Sequence, residues 1–163
     1  MRSALLLTGL VAAVATAQPP AKFTSAEGKF AVTFPGKPTE TKKPIRPGGD
    51  TMVSITQFED ADGGRLVLWN DITAKGYDPA KVLDGAAKGI AQQGKLVSDK
   101  PTTVGPDKVA ARDVTADTKD GYRVRTLLVV ANDRLYQVTL TGSNAFVVGP
   151  LGDAFRTSFE LRK

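Results

Sequence analysis

The sequence predicts an α+β fold, a central antiparallel sheet flanked by helices. Three observations carry this. Short segments alternate apolar and polar residues: KFAVTF (29–34), TMVSITQFE (51–59), RLVLWNDIT (65–73) and DRLYQVTLTG (133–142). Compact turns rich in Gly, Asp and Asn join them, which favours antiparallel neighbours over the crossovers a parallel sheet needs. Two segments, 78–94 and 150–159, break this pattern with helical signals.

In chain order, QPPAKFTSAEG (18–28) reads as a loose N-terminal arm with Phe23 as its anchor, and a single domain is expected over 29–163. In KFAVTF, Phe30, Val32 and Phe34 share one face, and Ala31 and Thr33 the other, as in a half-buried strand. Pro35-Gly36 ends it. KPTETKK forms a short extended piece and IRPGGD a loop. The next two strands make a hairpin around DADGG (60–64).

The helix follows. Asp78 is a capping residue and Pro79 suits the first helical position. Val82, Leu83, Ala86, Ala87 and Ile90 fall on one arc, opposite Lys81, Asp84, Lys88 and Gln92. Gly94 fits the residue just past its end. Gly85 and Gly89 each cost about 1 kcal/mol against alanine in a helix interior, so either a backbone approaches there or the helix is modestly stable. Further on, Asp120-Gly121 is a hairpin signal, and Asn132-Asp133 is a turn whose residues tolerate positive φ. Tyr136, Val138 and Leu140 then alternate on one face. Pro150 starts a short helix with Leu151 and Phe155 one turn apart, and FELRK is a last extended piece.

The N-terminus has a different logic. MRSALLLTGLVAAVATAQPP places Arg2 before an apolar run from Ala4 to Val14, then Ala15-Thr16-Ala17. That is the order of a secretory signal peptide, with cleavage expected after Ala17. The run is shorter than the ~20 apolar residues of a spanning helix, so no transmembrane segment is expected in the mature chain. The expected location is secreted or periplasmic. With no cysteine in the chain, the reading is a soluble protein and not a lipoprotein.

Composition excludes several function classes. Zero cysteines among 163 residues remove disulfides, thiol catalysis and thiolate metal sites. Zero histidines remove the commonest metal ligand and the commonest general base near neutral pH. The chain carries 22 Lys+Arg against 17 Asp+Glu, but the positive residues are dispersed and only 7% of residues are aromatic. A nucleic-acid binder would concentrate base-stacking aromatics along a basic stripe; none is present, so no nucleic acid is expected.

Candidate chemistry is sparse. Asp60-x-Asp62-Gly63 resembles half of a calcium loop but lacks the distal glutamate, so it reads as a turn. Without histidine, a serine nucleophile would need a lysine, and no serine-x-x-lysine spacing exists; nor does a G-x-S-x-G elbow or a phosphate-binding glycine loop. The chain is therefore not expected to be an enzyme, and no cofactor is expected. Five residues remain as binding candidates. Arg112, Arg123 and Arg125 lie on one predicted hairpin with Asp113, Asp117 and Asp120. They are either surface ion pairs or, since Arg123 and Arg125 point the same way, an anion clamp. Trp69 is the only tryptophan, either a core residue or a contact hot spot, and Tyr77 is a further candidate for a contact patch.

EGKFAVTFPGKP, YRVRTLLVVANDRLYQVTLTG and FRTSFEL, in that order, resemble the small extracytoplasmic domains of the PsbP-like class. The matching pieces are Phe30 to Pro38, Asn132 to Tyr136 and Phe155 to Leu161. The resemblance implies an α/β/α sandwich around an antiparallel sheet. Extrinsic photosystem II subunits and a Ran-binding import factor share the class, which implies a non-catalytic habit of binding proteins. No functional residue carries over. The expected function is thus a non-catalytic module docking on another envelope protein. The alternative is a carrier of a small apolar, lipid-like ligand, in a pocket between the sheet and helix 79–93 left by Gly85, Ala86, Ala87 and Gly89.

Overall fold

The computed structural model describes residues 20–45 and 49–163. The expected signal segment 1–17 lies outside them. In chain order the elements are β1 (Ala21–Ser25), β2 (Phe30–Phe34), β3 (Thr39–Pro44), β4 (Met52–Glu59), β5 (Gly63–Asp71), α1 (Pro79–Ala91), β6 (Gly94–Val104), β7 (Val109–Thr118), β8 (Arg123–Ala131), β9 (Arg134–Gly142), α2 (Asn144–Val147), α3 (Pro150–Thr157) and β10 (Glu160–Leu161). Seven strands form one antiparallel sheet, in the order β3-β4-β5-β9-β8-β7-β6. Three more form a second sheet, β1-β2-β10.

The antiparallel α+β expectation holds, with more sheet than expected. KFAVTF does not join the main sheet. It is the centre of the small sheet, which lies with α2 and α3 over one face of the large one, while α1 covers part of the other. Nor is 18–28 a loose arm throughout: Ala21–Ser25 pairs in register with β2, Phe23 opposite Val32. Packed against the large sheet and α3, β2 is buried on both faces rather than half-buried, with Phe30, Ala31, Val32 and Phe34 at 0% exposure.

Period-two alternation divides the core in two. On the small-sheet side Val67 and Trp69 (β5), Leu127 and Val129 (β8), and Tyr136, Val138 and Leu140 (β9) meet Phe30, Val32, Phe34, Phe155 and Phe159. On the α1 side Leu83, Ala87 and Ile90 pack on Val114, Ala116, Leu128 and Val130. Asp78 caps α1 by accepting from the Ala80 N–H at 2.9 Å, with Pro79 in the first turn. The turns match their residues. Asn132 and Asp133 adopt φ of 52° and 57° between β8 and β9. Asp60 folds DADGG by accepting from the N–H groups of Asp62 and Gly63.

Two local expectations are corrected. Gly94 begins β6 instead of capping α1, because the chain turns straight into the sheet; a Cβ there would meet the Asp117 carbonyl at 1.9 Å. Leu151 and Phe155 lie one turn apart in α3 as expected, with Phe155 facing the core and Leu151 60% exposed. Gly85 and Gly89 open no pocket against the sheet. Both face solvent with nothing within 4 Å of an added Cβ. Replacing both by alanine is expected to raise unfolding stability by about 1–2 kcal/mol in total, measured by urea denaturation, because alanine loses less backbone entropy in a helix. A loss of stability would show that the glycines are needed by a contact.

Candidate functional site

The candidate arginines are divided between the two faces of the large sheet. The β7–β8 register sets Asp117 opposite Arg123, Thr115 opposite Arg125 and Asp113 opposite Leu127, so these side chains share one face. Arg123 forks onto Asp117, donating from Nε at 2.6 Å and from a terminal nitrogen at 2.9 Å. Another terminal nitrogen donates to Asn144 of α2. Arg125 forks onto Asp113 at 3.0 and 2.7 Å and reaches Asp153 of α3 at 2.9 Å. Arg156 of α3 approaches Asp113 at 3.5 Å. Arg112 points to the opposite face, where it forks onto Asp99 of β6 and reaches Asp84 of α1.

All three guanidiniums are therefore committed to carboxylates within the fold. Hydrogen bonds to Asp99, Asp117 and Asp113 hold Arg112, Arg123 and Arg125 above the ordinary arginine range, so all three stay charged. An anion clamp would first have to displace those carboxylates. What the pairs do is bolt helices to the sheet: Arg125–Asp153 ties α3 to β8, Arg123–Asn144 ties α2, and Arg112–Asp84 ties α1.

Trp69 is 6% exposed, on the inner face between the two sheets. The Arg134 guanidinium lies 4.4 Å from its ring centroid and is held there by Asp71 at 2.7 Å. The indole Nε1 sits against Gly28, where an added Cβ would be 2.7 Å away. Tyr77, in the β5–α1 loop, packs against the α1 cluster and donates its hydroxyl hydrogen to Asp133 at 3.1 Å. Burial and the Asp133 carboxylate raise its pKa. Trp69 and Tyr77 thus belong to opposite sides of the sheet and do not converge.

Among the described residues, three clefts bear on the candidate residues or the helix–sheet gap. One of about 280 Å³ lies between the β1–β2 turn and the β3–β4 ribbon, against Trp69. A second, of about 470 Å³, lies between the β6–β7 turn and the C-terminal residues, lined by Val104, Val109, Phe159 and Leu161 among others. A third, of about 250 Å³, runs along the flank of α1 beside Arg112, Asp84 and Leu96. Among the described residues no group of three or more Asp or Glu could hold a metal ion. Asp60, the start of the calcium-like string, spends its second oxygen on Arg65 at 2.9 Å. The first cleft was missed by sequence reasoning, since its walls come from four segments separated along the chain.

Two predictions follow from the ion pairs. Arg125→Ala should lower stability by about 1–3 kcal/mol in chemical denaturation, because Asp113 and Asp153 lose their shared partner; no change would mean the network is only decorative. The Arg123 guanidinium, chiefly by hydrogen bonding, holds the Asp117 carboxyl below the usual aspartate range. Lys22 does the same for Glu160. A depressed folded pKa contributes stability that is present above the unfolded values, about 3.9 for Asp and 4.3 for Glu, and lost as pH falls through the folded ones. Asp117→Asn should therefore flatten the decline in melting temperature between about pH 5 and about pH 2. An unchanged profile would remove Asp117 from the acid response.

A scan against protein-family models finds no match, and a search of curated proteins finds none. A search of solved structures finds the solution structure of cyanobacterial PsbP (CyanoP) from Synechocystis sp. PCC 6803. The two superpose with a TM-score of 0.62, covering 94% of this chain and 98% of that one, at 15% sequence identity. At that identity the likeness is one of fold, and function has to be argued from this chain's own surface. The chain has a PsbP-like fold.

Proposed function

We propose that the chain is a non-catalytic, extracytoplasmic interaction module that docks on another envelope protein through the uncovered part of its large sheet. One observation carries this reading. The α1 helix packs chiefly on β6, β7 and β8, while among the described residues no helix packs comparably on the same face of β4 and β5, and of β9 only Leu135 joins the α1 cluster. Pairing places Leu68 there between Ile55 and Gln137, and Leu66 between Gln57 and Thr139. Leu66, Leu68, Gln137, Thr139 and Thr141 are all half-buried. A face of mixed leucine, threonine and glutamine suits a partner that comes and goes, since transient interfaces are about as apolar as ordinary surface. Tyr77 borders this face, beside α1.

The committed arginines speak against an anion-binding role, and the solvent-facing glycines remove the reason for an apolar pocket under α1. Export rests on the residues 1–17 pattern of charge, apolar run and small residues. Among the described residues no helix is long and apolar enough to cross a membrane.

Two measurements test the proposal. N-terminal sequencing of the protein from the envelope fraction should begin at Gln18; retention of Met1 would overturn export with cleavage. A photo-crosslinking residue at Thr139 should give one discrete protein adduct in intact envelopes, and the same probe at Lys88, on the outer side of α1, should not. Gln137→Lys should abolish the adduct while shifting stability by no more than about 0.5 kcal/mol. No adduct, or equal labelling from both faces, would overturn the docking surface.

A further inference from the structure

We infer that the cleft against Trp69 is a binding site for a small, neutral, polyhydroxylated molecule the size of one sugar unit. The cleft holds about 280 Å³ and is bounded by Ser25 and Glu27, by Glu40 and Lys42 of β3, by Ser54 and Thr56 of β4, and by Trp69. It lies on the small-sheet side, opposite the docking face, so it stands on observations independent of that reading.

Four of its polar residues, Trp69, Thr56, Ser54 and Glu40, have side chains with no partner among the described residues. Trp69 is 6% exposed and Thr56 is 2% exposed, yet neither the indole N–H nor the threonine hydroxyl has a hydrogen-bond partner among the described residues. The only side-chain atom among the described residues that is both sealed from solvent and unpaired is Arg156 Nε. The indole N–H and the Thr56 hydroxyl are not among such sealed atoms, and both residues line the cleft. Ser54 also has a free hydroxyl, and Glu40 has no cation within 4.0 Å, again among the described residues. Nearly buried polar groups left unpaired cost free energy, which a ligand's own polar atoms recover.

The chemistry of this set selects the ligand class. The indole N–H only donates, the Glu40 carboxylate only accepts, and the Ser54 and Thr56 hydroxyls do both. A ligand that meets all of them carries donors and acceptors on neighbouring atoms, as adjacent hydroxyls do. An anion is disfavoured by Glu40. A cation gains little, because Glu40 is solvent-exposed and screened, and Lys42 already neutralises Glu27. Stacking on the tryptophan is not the mode of capture, because Arg134 occupies one face of the ring and burial leaves little more than an edge. The site is also prebuilt: Ser25 accepts from the Gly28 N–H at 2.9 Å, and the Gly28 carbonyl accepts from the Tyr136 hydroxyl at 2.9 Å, which fixes the β1–β2 wall.

The chain has one tryptophan, so its fluorescence reports on this cleft alone. Titration of the full chain with glucose and with N-acetylglucosamine should give a saturable change for at least one, with Kd near the millimolar scale expected of so few hydrogen bonds (~1 mM). Thr56→Val, which keeps the side-chain shape, should weaken it about tenfold or more. Ser54→Ala, more exposed and safer for folding, should weaken it measurably. Choline and acetate, as cationic and anionic controls, should give no saturable change. A response to neither sugar, a response confined to choline or acetate, or affinities unaltered in both variants would overturn the assignment.

Discussion

The structure depends on an aromatic layer that glues two sheets of unequal size. Phe30 stacks on Phe159 at 5.9 Å between ring centroids, meets Tyr136 edge-on at 6.4 Å, and Phe34 lies 5.2 Å from Phe155. Each fully buried ring contributes roughly 1.5–3 kcal/mol by leaving water, with a further ~0.5–1.5 kcal/mol per well-oriented aromatic pair. A three-stranded sheet whose third strand is two residues long has little stability of its own. It exists because its central strand delivers Phe30, Val32 and Phe34 to the large sheet. The Tyr136 hydroxyl completes the joint by donating across 108 residues to the Gly28 carbonyl, so the layer fixes a turn as well as a core.

That joint has consequences at both ends of the molecule. By holding the β1–β2 turn against Trp69, it forms one wall of the polar cleft; the β3–β4 ribbon forms the other. At the opposite end of β5, Arg65 is only 4% exposed, yet it carries a charge between the Phe146 ring at 4.6 Å and Asp60 at 2.9 Å. The guanidinium packs as a flat apolar plate while its charge is met by a carboxylate, and so ties the β4–β5 turn to α2.

Charge is used structurally over most of the surface. The arginines of β7 and β8 are spent on bolting three helices to the sheet. The two edge strands carry Lys42, Lys43 and Pro44 on β3, and Lys95, Lys100 and Pro101 on β6. Lysine and proline on an open edge discourage the addition of a further strand.

The sequence by itself determined what depends on local periodicity and turn chemistry. The strands expected at 51–59, 65–73 and 133–142 and found at Met52–Glu59, Gly63–Asp71 and Arg134–Gly142, the helix capped by Asp78, and the positive-φ turn at Asn132-Asp133 could be read from neighbouring residues, because backbone sterics and side-chain alternation act over a few positions. So could the order of pieces resembling the PsbP-like class. Only the tertiary structure decided which strands share a sheet. KFAVTF has the same alternation whether it joins the large sheet or starts a second one, and the choice is made by pairing with residues 21–25 and 160–161, far apart in the chain. The same holds for the arginines: Arg112 differs from Arg123 in facing α1, a consequence of odd and even register that no composition reveals. It holds most of all for the cleft, where Trp69, Thr56, Glu40 and Ser25 come from different strands. Long-range pairing brought them together, and long-range pairing leaves no local mark in sequence.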